Sequence, residues 1–221
     1  MQNIFYLIIV MIFFSCNREK EITLNNEKDS LSYAFGVNFA SYFKQEAIDT
    51  IIRQDIFLAG YTDVIYNKNP KLTTEQATKI LSNYFYRITQ KENERIKQIN
   101  DSFLVENSKK EGVQKLSSGL QYKIITKGKG KTPTKKDKVK IKYVGKFIDN
   151  RIFDSSLSQP KTFSFDAIIP GLAEGLQLMN VGSKYEFYIP YNLAYGENGV
   201  PGLIPPFSTL IFEVELVDIE K

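Results

Sequence analysis

The sequence predicts an α+β chain: an all-helical amino-terminal segment with a long linker helix, then an antiparallel sheet curved around one short helix. Three observations carry this. Apolar residues recur at helical spacing as far as Phe103, they alternate from Leu120 onward, and one short apolar segment within the alternating region opens on Pro170 and is followed by Gly182.

The first helical stripe uses Leu31, Ala34, Phe35, Phe39, Tyr42 and Phe43; the second uses Ile56, Phe57, Gly60, Tyr61, Val64 and Ile65, and Asn67 and Pro70 close it. "TTEQ" from Thr73 to Gln76 then reads as a capping box. The helix it opens runs toward Gly112, roughly 38 residues and about 57 Å at 1.5 Å per residue. Its second half, "KENERIKQIND", is mostly charged, and its narrow apolar stripe predicts a solvated strut or a coiled coil. The two short helices cannot bury much surface alone, so their aromatic faces (Tyr33, Phe35, Phe39, Tyr42, Phe43, Phe57, Tyr61) call for a partner, most simply a second copy of the chain. Strands are predicted over "LQYKIIT", "KVKIKYVGKFI", "SKYEFYIP" and "STLIFEVELVDI", and a short helix over "PGLAEGLQLM". The divisions are 1–16, 17–112 and 113–221.

The first segment, "MQNIFYLIIVMIFFSC", has no charged side chain and is apolar from Ile4 to Phe14, eleven residues. Spanning a bilayer takes roughly 20; eleven is the length of a signal-peptide core. The only cysteine, Cys16, stands where the apolar run stops. Ser15 and Cys16 resemble the lipobox of bacterial lipoproteins, with Phe13 where leucine is usual and no Lys or Arg before the core. The resemblance implies lipid attachment at Cys16 and a place in the cell envelope of a Gram-negative bacterium, facing the periplasm or the outer membrane.

Composition narrows the chemistry. The chain has no histidine, which excludes Ser–His–Asp and Cys–His nucleophiles and His-ligated metal sites. One cysteine excludes an internal disulfide and a CxxC pair. No phosphate-cradling glycine fingerprint occurs; "KGKGK" at 127–131 reads as a turn. The net charge is +4, and the lysines between Lys109 and Lys142 are spread through strand and turn patterns without interleaved aromatics. They read as a solvated face, and no nucleic-acid partner is expected.

"KIKYVGKFIDNRIFDSS", "AIIPGLAEGLQLMNVGSKYEFYIP", "LAYGENGVPGLIPP" and "STLIFEVELVDI" occur in the order and spacing of the FKBP-type peptidyl-prolyl isomerases, and the chain resembles that family from about residue 115 to 220. "DSLSYAFGVNFA" and the long helix resemble the dimerisation segment of its Mip and FkpA branch. The resemblance implies an FKBP-like half-barrel, a homodimer formed through the amino-terminal helices, and isomerisation of X–Pro bonds in exported polypeptides with no cofactor and no metal. It also implies weak binding of FK506-type macrolides. Residue by residue, it places Asp154, Tyr195, Ile169 and Tyr143 in catalytic roles and Phe153, Ile168, Leu172, Ile204 and Phe212 around the prolyl ring; Phe163 and Phe165 are left unassigned. Leu172 stands where the family usually has tryptophan, which keeps a weakly catalytic chaperone or peptide-binding module as the alternative. The stiff loop "LAYGENGVPGLIPP" would hold Tyr195 and Ile204 over the pocket with little entropy left to lose.

Overall fold

The computed structural model describes residues 22–156 and 158–220; the leader and Cys16 lie outside them. The chain divides at Thr74/Glu75 into two compact units. Among the described residues no helix is long and apolar enough to cross a membrane.

The first unit holds α1 (Glu27–Gln45), a 3-10 turn (Ile48–Thr50) and α2 (Gln54–Ile65). Asn26 caps α1, its side-chain oxygen accepting from the Asp29 amide at 2.9 Å. Phe39, Phe43 and Phe57 cluster with ring centroids 4.5 to 5.8 Å apart. No residue of α1 or α2 is buried, and Phe35 is 70 % exposed.

The second unit begins with α3 (Thr74–Asn107), 34 residues. It is followed by β1 (Val113–Lys115), β2 (Gln121–Thr126), β3 (Lys138–Phe147), β4 (Ile152–Ser155), β5 (Lys161–Ser164), α4 (Pro170–Leu176), β6 (Lys184–Ile189) and β7 (Leu210–Glu220). The strands form one antiparallel sheet in the order β1-β2-β6-β7-β3-β4, and β5 pairs with the first half of β3. The four longer strands and the short helix fall where alternation and the proline predict them. β1, β4 and β5, three or four residues each, are too short for alternation to declare them.

Along β3, Val139, Ile141 and Tyr143 point into the core, as do Tyr185, Phe187 and Ile189 of β6 and Leu210, Phe212, Val214 and Leu216 of β7. Helix α4 closes this face with Leu172 and Leu176, each worth about 1.5–3 kcal/mol when fully buried. Pro170 at its first turn supplies a preset φ. Gly175 lets the helix press onto β6: a Cβ there would stand 2.5 Å from the ring of Phe187, which is fully buried.

The last third of α3 is not a free strut. Ile96, Lys97, Asn100, Asp101, Phe103, Leu104 and Asn107 are its half-buried or buried positions, one side of the helix, and of these Asn100 and Asn107 are buried. Asn107 Nδ2 donates to Gln121 Oε1 at 3.0 Å, Gln121 Nε2 donates to the Leu104 carbonyl at 2.8 Å, and the Phe103 ring leans on Tyr188 at 6.1 Å. The helix is tied to its own sheet through polar side chains, which a search for apolar periodicity passes over.

Gly175→Ala sets the helix preference of alanine, up to about 1 kcal/mol, against overpacking of about 1–3 kcal/mol on a ring with nowhere to go. The variant is expected to lose stability, read as a lower urea midpoint with an unchanged slope; equal or higher stability would show that α4 does not rest on Phe187.

Candidate active site

The concave face of the sheet, α4 and the segments on either side of it enclose a cavity of about 350 Å³. Its lining is Ile141, Tyr143, Phe153, Asp154, Phe163, Asp166, Ala167, Ile168, Ile169, Leu172, Tyr195 and Phe212. That volume is at the small end for ligand pockets.

Each wall follows from local structure. Tyr143 and Phe212 rise from β3 and β7, with rings 6.0 Å apart. Phe153, on β4, meets Phe212 edge-on at 5.5 Å and Phe147 at 5.1 Å. It reaches them because Gly145, its near neighbour across the β3–β4 ladder, has no side chain: a Cβ there would lie 2.7 Å from Phe153 Cζ. A glycine inside an alternating strand is a readable signal of such a close approach. Leu172 forms the floor, 5 % exposed. Ile168 and Ile169 lead into α4. The Ile169 carbonyl accepts from Leu172 and Ala173 at 3.1 and 3.0 Å, and no backbone carbonyl among the described residues accepts from its own amide.

The polar wall is built as firmly. The Tyr143 hydroxyl donates to Asp154 Oδ2 at 2.6 Å. Burial first, and the carboxylate beside it second, push the Tyr143 phenol well above its ordinary value. Ser156, 3 % exposed, fixes the two strands that carry this pair: its hydroxyl accepts from the Tyr143 amide at 3.1 Å, and its amide donates to the Tyr143 carbonyl at 2.9 Å. The second serine of "FDSS", read alone, is only a turn residue. The Lys161 ammonium lies 5.6 Å from the centre of the Tyr143 ring, at the outer edge of this wall.

Of the residues singled out from the sequence, Tyr143, Phe153, Asp154, Ile168, Ile169, Leu172, Tyr195 and Phe212 all line this one cavity. Tyr195 stands at the rim, 41 % exposed. Ile204 does not line it. It is 3 % exposed, belongs to the core beneath the loop, and exchanges backbone hydrogen bonds with Val200 at 2.8 Å. The sequence left Phe163 unassigned; it does line the cavity, its ring 6.0 Å from that of Tyr143. Phe165 is in the core instead.

A curved antiparallel sheet closed by one short helix over an aromatic cavity is the architecture of a known family of enzymes. Residues 129–217 match the family model described as FKBP-type peptidyl-prolyl cis-trans isomerase, and residues 28–124 match that of the domain amino-terminal to it. The chain belongs to the FKBP-type peptidyl-prolyl cis–trans isomerases and is an enzyme of that activity. It is 37 % identical over 202 residues to the FKBP-type 22 kDa peptidyl-prolyl cis-trans isomerase of Escherichia coli K12, covering 89 % of this chain and 98 % of that one. It is 39 % identical over 208 residues to the outer membrane protein MIP of Legionella longbeachae, covering 90 % and 88 %. Among solved structures, FkpA from Escherichia coli superposes with a TM-score of 0.72 at 32 % identity, over 90 % of this chain and 99 % of that one.

The raised phenol gives a pH prediction. The fold favours protonated Tyr143, so its contribution to stability is complete below the unfolded value near 10 and is lost as pH rises through the higher folded value. The stability difference between the parent and Tyr143→Phe is therefore expected to stay constant from about pH 6 to 9 and to shrink above about 10. Urea midpoints of the two proteins across that range read it; a difference that shrinks below pH 9 would mean the phenol is not held in this way.

Proposed function

We propose that the 350 Å³ cavity seats the proline ring of an X–Pro segment in an exported polypeptide and lowers the rotation barrier by excluding water and orienting the flanking carbonyls. The observation that carries this reading is the composition of the cavity: aromatic and aliphatic walls, one hydrogen-bonded tyrosine–carboxylate pair, and a tyrosine hydroxyl at the rim.

The barrier is amide resonance, about 18–20 kcal/mol, so neither a nucleophile nor a cofactor is required to lower it. Each tenfold acceleration takes about 1.4 kcal/mol of stabilisation given to the twisted amide and not to the planar one. Water stabilises the polar planar amide more than the twisted one, so a dry seat between Phe153, Phe212 and Leu172 favours rotation. In this reading the Ile169 amide and the Tyr195 hydroxyl donate to the carbonyls on either side of the proline, fixing their planes while the bond between them turns. The Tyr143–Asp154 pair lays a directed negative charge along the wall and holds the phenol against the ring. Leu172 gives the proline a narrower platform than a tryptophan would, which supports lower turnover and weak macrolide binding.

Envelope placement rests on the leader and on Cys16 as a lipid-attachment site, supported by a relative named for the outer membrane. Dimerisation through the first unit is supported by its physical state: two helices without a buried residue, and Phe35, Tyr42, Leu58 and Val64 each more than half exposed. Such faces stay soluble when a second copy covers them.

The catalytic reading is tested with short Xaa-Pro peptides in a protease-coupled or NMR exchange assay. Tyr195→Phe is expected to lower kcat/KM by about threefold and Asp154→Ala by about tenfold, the second removing the partner of the hydroxyl of buried Tyr143. Leu172→Trp should tighten macrolide binding. If all three behave like the parent, the cavity is not the seat of rotation.

The placement reading is tested separately. The soluble chain from Asn17 should scatter light as a dimer at a concentration on the order of tens of micromolar. Cys16→Ala should accumulate an uncleaved precursor that takes up no palmitate. A monomer, or equal labelling of parent and variant, would overturn the corresponding half.

A further inference from the structure

Helix α3 contributes nothing to the cavity lining, yet it grips both ends of the loop that carries Tyr195. At the far end, the Thr209 amide donates to Asn100 Oδ1 at 2.8 Å, across 109 positions of sequence, and both residues are buried. Asn100 is itself oriented: its Nδ2 donates to the Ile96 carbonyl at 2.9 Å, which turns Oδ1 away from its own helix and toward Thr209. At the near end, the Lys97 ammonium lies 5.7 Å from the centre of the Tyr191 ring, and an ion pair with Asp101 at 2.5 Å holds Lys97 on that side.

The two anchorages meet inside the loop. Tyr191 packs edge-on to Phe207 at 5.2 Å, the Phe207 amide donates to the Gly196 carbonyl at 3.2 Å, and the Gly196 amide donates back to the Tyr191 carbonyl at 2.8 Å. Tyr195 sits between Tyr191 and this tie. Half exposed and with no hydrogen bond to its hydroxyl among those described, it takes its position from the backbone around it. That backbone is referenced to α3.

We propose that Asn100 is a positioning residue for the isomerase reaction: through the Thr209 amide, and with Lys97 against Tyr191, it fixes the loop that presents Tyr195 to the peptide. The inference rests on the role given to Tyr195 under Proposed function. It makes the linker helix part of the catalytic apparatus, and it gives a reason for an asparagine and a lysine at positions 100 and 97 of α3.

The test uses the full soluble chain. Asn100→Leu keeps the volume and removes the acceptor; Asn100→Asp keeps an acceptor; Lys97→Gln touches only the near end and leaves buried groups alone. In Asn100→Leu, assayed well below its melting temperature, kcat/KM on a short Xaa-Pro peptide is expected to fall about tenfold, the scale on which misplacing an orienting group acts. The Thr209 amide should exchange with solvent faster, and the amide resonances of Tyr195 and Gly196 should shift. Asn100→Asp should recover most of the activity, and Lys97→Gln should lose about twofold, since an exposed cation–ring contact is weak. A residue with only a structural role would lower the melting temperature of Asn100→Leu and leave kcat/KM and the Tyr195 resonance unmoved; that result overturns the proposal, as does a loss in Asn100→Leu that a folded Asn100→Asp does not recover. If Asn100→Leu fails to fold, Lys97→Gln decides: parent-like turnover with unshifted loop resonances overturns the proposal. Tyr195→Phe is run in parallel. If it turns over like the parent while Asn100→Leu does not, the role given to Tyr195 falls and the positioning of the loop stands.

Discussion

Everything in the second unit depends on one close approach: α4 lying against β6, with Gly175 on Phe187. The apolar face of the sheet needs a cover, and seven residues of helix are very little cover. They suffice because the helix comes close enough for Leu172 and Leu176 to join the same core as Phe187 and Phe212. The cavity is the space this short helix leaves unfilled. A longer helix would fill it, and a helix held farther off would open it to water. The dry site and the stability of the sheet therefore share one geometric cause, and the bare Ile169 amide follows from it too, as the cap residue of that helix.

The parts of this architecture that obey a single period were legible in the chain. β2, β3, β6 and β7 alternate over most of their length because one face of each is turned to the core, and Pro170 marks α4 because a proline suits the first turn of a helix. The cavity lining was legible through family resemblance more than through physics: Phe153 or Phe212, taken alone, is simply a core aromatic. The chain itself gave two further hints, Gly145 inside β3 and the serines after Asp154, and both acquire meaning only when the β3–β4 ladder sets them against Phe153 and Tyr143. Ile204 shows the limit of transferring roles by position. In this chain its side chain is folded under the loop, where it supports the residues around it from below.

The linker helix was misread for a physical reason. Its apolar stripe, ending in Ile88, Ile96, Ile99 and Phe103, coincides only in part with the face that meets the sheet: Ile96 and Phe103 lie on it, but Ile99 is 45 % exposed, whereas Asn100 next to it is buried. That face is held by hydrogen bonds between asparagine, glutamine and backbone groups. Apolar contact is indifferent to small rotations, but a buried donor or acceptor without its partner costs about 1–3 kcal/mol. A polar seam therefore sets the rotation and register of a long helix more sharply than an apolar one would, and hydropathy does not record it.

The loop from Tyr191 to Thr209 is cross-tied twice, at Gly196–Phe207 and at Val200–Ile204, and only Pro201, Gly202 and Leu203 lie beyond the second tie, all exposed. The two ties stand between those three positions and Tyr195, so movement of the tip reaches the cavity rim only through them. The loop thus ends, a few residues from the cavity, in a tip where Pro201 and Leu203 face solvent and the left-handed backbone at Gly202 keeps the turn tight.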